Sequence, residues 1–142
     1  MAGKIISINI SKTKGVAKKP VPQARVIENF GLEGDVHAGT DPNKQISLLA
    51  IEQIRLQREC EKVTTGKLSL EPGDFAENLT TEGIDLVQLP IGSRLLVGKS
   101  VVLEITKIGK ECHRYCAIYY KLGDCIMPKS GVFARVINGG TL

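Results

Sequence analysis

The sequence has no tryptophan, and aromatic residues make up only 4% of its 142 positions. Base-stacking platforms, on which single-strand nucleic-acid binders depend, are therefore scarce, and no nucleic-acid role is expected. No apolar run approaches the roughly 20 residues of a membrane-spanning helix, and no charged start leads into the hydrophobic core of a secretion signal. Neither membrane attachment nor export is expected, which points to the cytoplasm. A P-loop, a G-x-G-x-x-G turn following a strand and a G-x-S-x-G elbow are all missing. Nucleotide-dependent and serine-hydrolase chemistry thus lose their usual machinery. There is no internal repeat, low-complexity tract or composition shift, so a single domain over 1–142 is expected.

What is present fits a self-sufficient globular domain: 42% hydrophobic, 24% charged, net charge +4. A chain of this length buries about 68–70% of the surface its unfolded form exposes, enough to dispense with disulfide staples. The positive excess is local. Lys4, Lys12, Lys14, Lys18, Lys19 and Arg25 all precede the first acid, Glu28, leaving 13 bases against 15 acids elsewhere. Such a segment is a solvated face in the ordinary case and a phosphate-holding loop in the functional one.

The pattern is rich in strands. In Lys4–Ile10, Ile6, Ile8 and Ile10 share one side of a period-two run, and Arg25–Glu28 reads as a second, short strand. The stretch between them, Lys12–Pro22, reads as a loop, and so does GLEGDVHAGTDPNKQ from Gly31. From Ser47 the period changes. Leu49, Leu56, Cys60 and Val63, widened by Ala50 and Ile54, predict an amphipathic helix with Ser47 as N-cap and a stop near Thr64–Gly66. Phe75–Leu79 is too short to assign. Arg94–Val97 and Val101–Ile108 are β-like, bounded by Gly98 and Gly109, so the fold class is mostly β with a few helices.

Cysteine carries the sharpest chemical signal. Without export, the four cysteines are expected as free thiols, and Asn78-Leu79-Thr80 is a chance glycosylation match. Cys60, on the helical stripe, reads as a small buried hydrophobe. Cys112-His113-Arg114-Tyr115-Cys116, followed by Cys125, places thiols beside a cation that favours the thiolate, which is both a nucleophile and a soft metal ligand. Two readings stay open: a reactive or ligating cysteine within this cluster, and a zinc-stabilised structural or interaction domain in which Cys112, Cys116 and Cys125 converge with His113 or His37. The C-x-x-x-C spacing disfavours the zinc reading, because zinc knuckles present paired C-x-x-C units.

Six segments resemble the MOSC domain, the module named after the C-terminal part of molybdenum cofactor sulfurases. They are GLEGDVHAG (31–39), KQISLLAIE (44–52), PGDFAENLTTEGIDL (72–86), LPIGSRLLVG (89–98), LEITKIGKECH (103–113) and CIMPKSGVFARVINGG (125–140). Their order matches too, and the likeness spans nearly the whole chain, in the compact prokaryotic form.

The resemblance implies a β-barrel-like domain that binds molybdenum cofactor (molybdopterin) or carries sulfur, with Cys112 as metal ligand or persulfide carrier. Whether such a domain turns over as an enzyme or only delivers its cargo is left open. Because the cofactor pairs a phosphate with a metal dithiolene, its site needs cations and a soft anion. His37, Lys44, Arg94, His113 and Arg114 are the candidate anchors, and the Gly34–Gly39 loop is a candidate source of anion-binding amides. A cysteine desulfurase or a molybdoenzyme acceptor is the expected protein partner. Pyridoxal phosphate belongs to the sulfurase domain fused to some relatives and is not expected on this chain. Two departures stand out. Glu111 replaces the proline common before the cysteine, and a neighbouring carboxylate works against the thiolate unless His113 or Arg114 offsets it. The chain also stops at Leu142, one strand short of the family pattern, which leaves an edge inviting homo-oligomerisation.

Overall fold

A computed structural model describes residues 3–13, 17–58, 72–73, 75–108 and 131–142, apart from the side chains of 56–58. In chain order the elements are β1 (Lys4–Ile10), β2 (Lys19–Val21), β3 (Arg25–Ile27), β4 (Gly31–Leu32), β5 (Ile46–Ala50), α1 (Ile51–Arg58), β6 (Leu79–Glu82), β7 (Arg94–Val97), β8 (Val101–Ile108), β9 (Val132–Asn138) and β10 (Gly140–Thr141). Seven strands form one sheet in the order β2-β1-β6-β5-β9-β8-β7, curled into a half-barrel, and β10-β3-β4 form a second, small sheet. The protein is mostly β, as its pattern predicts, with α1 as the α-helix among the described residues.

The core runs across the strands in register. Ile8 pairs with Leu79, Leu79 with Leu48, and Leu48 with Val132, so four strands contribute one line of fully or nearly fully buried side chains. All neighbours in the large sheet are antiparallel except β5 and β6, whose parallel pairing requires a crossover, and α1 lies within it. At the chain's end β10 pairs with β3, and Leu142 and Ala24 exchange backbone hydrogen bonds of 2.9 and 3.2 Å.

The boundaries expected for Lys4–Ile10, Arg94–Val97 and Val101–Ile108 are those observed, and Arg25–Ile27 is one residue shorter than expected. Inside β1 the simple alternation fails. The register against β6 shifts between Ile5 and Ser7, and Ile6 is 43% exposed while Ile5, Ile8 and Ile10 meet the core. One extra residue at a bulge reverses the facing of everything on one side of it. Lys12–Pro22, expected as a loop throughout, contains β2, and the glycine-rich segment contributes β4.

The helix expected from Ser47 begins instead at Ile51. Ser47 is the second residue of β5, so it caps no helix, and Leu49 and Ala50 lie in the strand. Every residue of β5 is buried, and a strand covered on both faces shows a continuous apolar run without alternation. That run cannot be told from a helix face by periodicity alone. Cys60, Val63 and the stop near Thr64–Gly66 lie outside the described residues.

Candidate functional site

The loop after β4 turns back toward the end of β1, where the Val36 amide donates to the Ser11 carbonyl at 2.7 Å. This contact sets the Asp35 carboxylate over three donors. Oδ1 accepts the Ser11 amide at 3.0 Å and Lys18 Nζ at 2.7 Å, and Oδ2 accepts the His37 amide at 3.2 Å. Burial pushes the Asp35 pKa up, but the Lys18 hydrogen bond and charge, the Ser11 amide and the Asn78 side chain outweigh it. The net position is below the ordinary carboxylate value. Lys18 is itself only 3% exposed, and His37 Nδ1 stands 3.1 Å from its Nζ. The His37 side chain, 32% exposed, is where this cluster reaches the surface.

A second buried carboxylate adjoins the first. Glu77 Oε2 accepts the Gly73 amide at 3.0 Å and the Thr80 hydroxyl at 2.8 Å, while Oε1 accepts the Phe75 amide at 3.2 Å. Burial dominates here and raises the Glu77 pKa, with the Gly73, Thr80, Glu77 and Phe75 hydrogen bonds only partly opposing it. The Gly73 carbonyl in turn accepts the Lys18 amide at 2.7 Å, which joins the two clusters through one residue. Gly73 has φ +93°, and a Cβ there would run into the Lys18 carbonyl oxygen, so the junction needs glycine. Asn78 completes the frame: its Oδ1 accepts the Ser47 amide of β5 at 3.0 Å, and its Nδ2 donates to the Asn9 carbonyl of β1 at 3.2 Å. Asn9 and Thr80, both fully buried, are hydrogen-bonded at 3.1 Å.

Three of the anchors expected from the sequence are described, each with a different neighbour. His37 packs against Lys18 at the β1 end. Lys44 leads into β5 and holds its ammonium 5.9 Å over the Phe133 ring of β9, three strands from β1 in hydrogen-bonding order. Arg94 lies on the edge strand β7, opposite Glu104, two strands further on. Cys112, His113, Arg114, Cys116 and Cys125 lie outside the described residues. Among the described residues no group of three His, Cys, Asp or Glu side chains is placed to hold a metal.

Two expectations need correction. Lys18 belongs to no solvated face, because its ammonium is paired inside the protein. Most amides of the Gly34–Gly39 loop are also committed: those of residues 35–40 donate, in order, to the Leu32 carbonyl, the Ser11 carbonyl, Asp35 Oδ2, the Asp35 carbonyl, the Phe30 carbonyl and the His37 carbonyl. Lys18, Asp35, Glu77, Asn78 and Asn9 are the residues that sequence reasoning missed. The one available signal was the run of polar residues inside PGDFAENLTTEG, which is too polar for a core and yet flanks a strand.

The fold is that of a small barrel-like β domain, and the MOSC domain family model matches residues 33–142. The chain belongs to the MOSC domain family. Among solved structures it is similar to the YuaD protein of Bacillus subtilis, with a TM-score of 0.77 and 19% identity over 100% of this chain and 91% of that one. YiiM of Geobacillus stearothermophilus follows with a TM-score of 0.71 and 22% identity, over 99% of this chain and 71% of that one. YiiM of Escherichia coli has a TM-score of 0.71 and 19% identity, over 100% of this chain and 66% of that one. At these identities the likeness is one of fold. No curated protein matches this sequence.

Proposed function

We propose that this chain binds a molybdenum cofactor of the molybdopterin type, or carries sulfur toward one, with Cys112 as the metal ligand or the persulfide-bearing thiol. The observation that carries the reading is the family match over 33–142, which includes Cys112. The described residues supply part of what such a ligand needs. His37 is a partly exposed polar group on a buried support, Lys44 is a cation just before β5 and Arg94 a cation on β7. The soft ligand in this reading is Cys112, the position to which the family resemblance assigns the characteristic cysteine. When bound, the group supplies a metal dithiolene centre; the chain's own part is to anchor its anionic end and to offer the thiolate. A cysteine desulfurase or a molybdoenzyme is the partner such a carrier would serve.

The test is purification from cells that make the cofactor, with simultaneous assay of pterin, molybdenum and zinc. The Cys112→Ser variant is expected to stay folded and to lose metal ligation or sulfur loading, because a hydroxyl is a poor soft-metal ligand and cannot carry a persulfide. A folded variant that retains pterin and accepts sulfur normally would remove Cys112 from the role. A variant that unfolds with loss of stoichiometric zinc would replace the reading by a structural zinc site, since metal binding would then be part of the folding free energy.

A further inference from the structure

The large sheet ends in two edge strands of opposite character, β2 and β7. β2 reads Lys19-Pro20-Val21, and Pro22 follows it. Proline has no N–H to offer a further strand, and lysine and proline are the residues with which native edges refuse one. β7 has neither, and its one charge, Arg94, stands at its first position opposite Glu104. Its four residues pair with β8 without a register shift, and no described strand lies on its other side. The Ser93 carbonyl accepts the Ile105 amide at 2.8 Å. Hydrogen-bonded and non-hydrogen-bonded pairs alternate along an antiparallel ladder, so Leu95 and Val97 bond to β8, while the amide and carbonyl of Arg94 and of Leu96 point outward. Leu96 is 71% exposed and Ile91, just before the strand, 65%; these are the two most exposed large apolar side chains among the described residues.

We infer that the β7 edge is where two copies of this chain pair, antiparallel, across a two-fold axis that sets Leu96 opposite Leu96 of the second copy. This register turns the outward-pointing backbone groups of Leu96 into a hydrogen-bonded pair. It also matches like with like: exposed Leu96 meets Leu96, while the partly buried Leu95 and Val97 oppose each other on the inner face. A one-residue slip would set the inner face of one copy against the outer face of the other, and a two-residue slip would set each Leu96 against an arginine. The charges agree with the register. Arg94 falls opposite Gly98, which has no side chain, and the two Arg94 positions stand about 13 Å apart along the ladder, beyond the roughly 8–10 Å over which exposed charges act at physiological salt. The alternative contact between copies, β7 on β2, would bring Arg94 to the strand that carries Lys19 and Pro20, and such a head-to-tail contact does not close at two copies. The isologous pair does.

Sedimentation equilibrium of the whole chain, from micromolar to millimolar concentration, is expected to show monomer and dimer and nothing larger. Leu96→Lys should raise the dissociation constant at least about a hundredfold, because it removes two buried leucines and sets two ammonium groups face to face. At so exposed a position it should leave the fold of the monomer intact. Amide exchange at Arg94 and Leu96 should slow as the concentration rises, and exchange at Leu95 and Val97 should not. On mild oxidation Leu96→Cys should give a dimer linked between the two positions 96, since opposed residues of a hydrogen-bonded pair lie about 5.5 Å apart at Cα, within disulfide reach. A chain that stays monomeric throughout would overturn the inference. So would a dimer that survives Leu96→Lys, that leaves the Leu96 amide unprotected, or that crosslinks at another position. Growth beyond two copies would overturn the closed pair in favour of a head-to-tail contact. None of these readouts depends on pterin, metal or sulfur loading, so the outcome is separate from the role of Cys112.

Discussion

Lys18 Nζ and Asp35 Oδ1 are 2.7 Å apart, and their side chains keep 1% and 0% of their exposure. A contact so far from water behaves unlike the ion pairs on the surface. Its worth as a pair against an apolar replacement is small, but removing one partner strands a charge.

Lys18→Met is therefore expected to cost about 3–5 kcal/mol of stability. A Lys18→Met/Asp35→Leu double variant should recover part of that loss, although the Ser11 and His37 amides would lose their acceptor. Urea unfolding of the three proteins checks this. A single variant within a few tenths of a kcal/mol of the parent would contradict the buried pairing.

The folded pKa values of Asp35 and Glu77 are shifted in opposite directions. The folded pKa of Asp35 is lowered, so its contribution is present above the unfolded value of about 3.9 and disappears as pH falls through the folded value. The folded pKa of Glu77 is raised, so its contribution is full below about 4.3 and is lost as pH rises through the folded value. Urea midpoints measured against pH should show both slopes. Asp35→Asn should flatten the acid-side slope and Glu77→Gln the slope above it. Glu77→Gln should also cost about 1–3 kcal/mol, because a carboxamide cannot accept from Gly73, Phe75 and Thr80 together without turning its NH2 toward one of these donors.

The turn that carries Glu77 holds two left-handed residues of opposite character. Gly73→Ala should destabilise by at least about 1–3 kcal/mol, since the backbone strain is joined by a clash with the Lys18 carbonyl oxygen. Ala76, at φ +63°, already bears strain that Gly relieves. Ala76→Gly should be neutral or stabilising by up to about 1 kcal/mol, measured by thermal unfolding. If both changes destabilised equally, the conformation of this turn would be other than described.

How far the sequence reveals the fold depends on how many faces an element buries. β7 and β8 alternate between partly covered and exposed or core positions, and period-two reading finds both with their observed ends. β5 is buried on both faces and mimics a helix, while Thr80 and Thr81 of β6, buried yet polar, break any hydrophobic signal. The site follows the same logic. His37 is legible because a histidine between glycines is conspicuous. Lys18 looks like its neighbours Lys12 and Lys19, and only the fold brings it to Asp35, 17 positions away. A pairing set by tertiary closure leaves no periodic trace in the chain.

The register of β8 against β9 ends with Ile108 opposite Val132. Ile108, the last described residue before Cys112, and Val132, the first strand residue after Cys125, are thus neighbours across the sheet: positions 24 apart in the sequence are brought together by strand pairing alone.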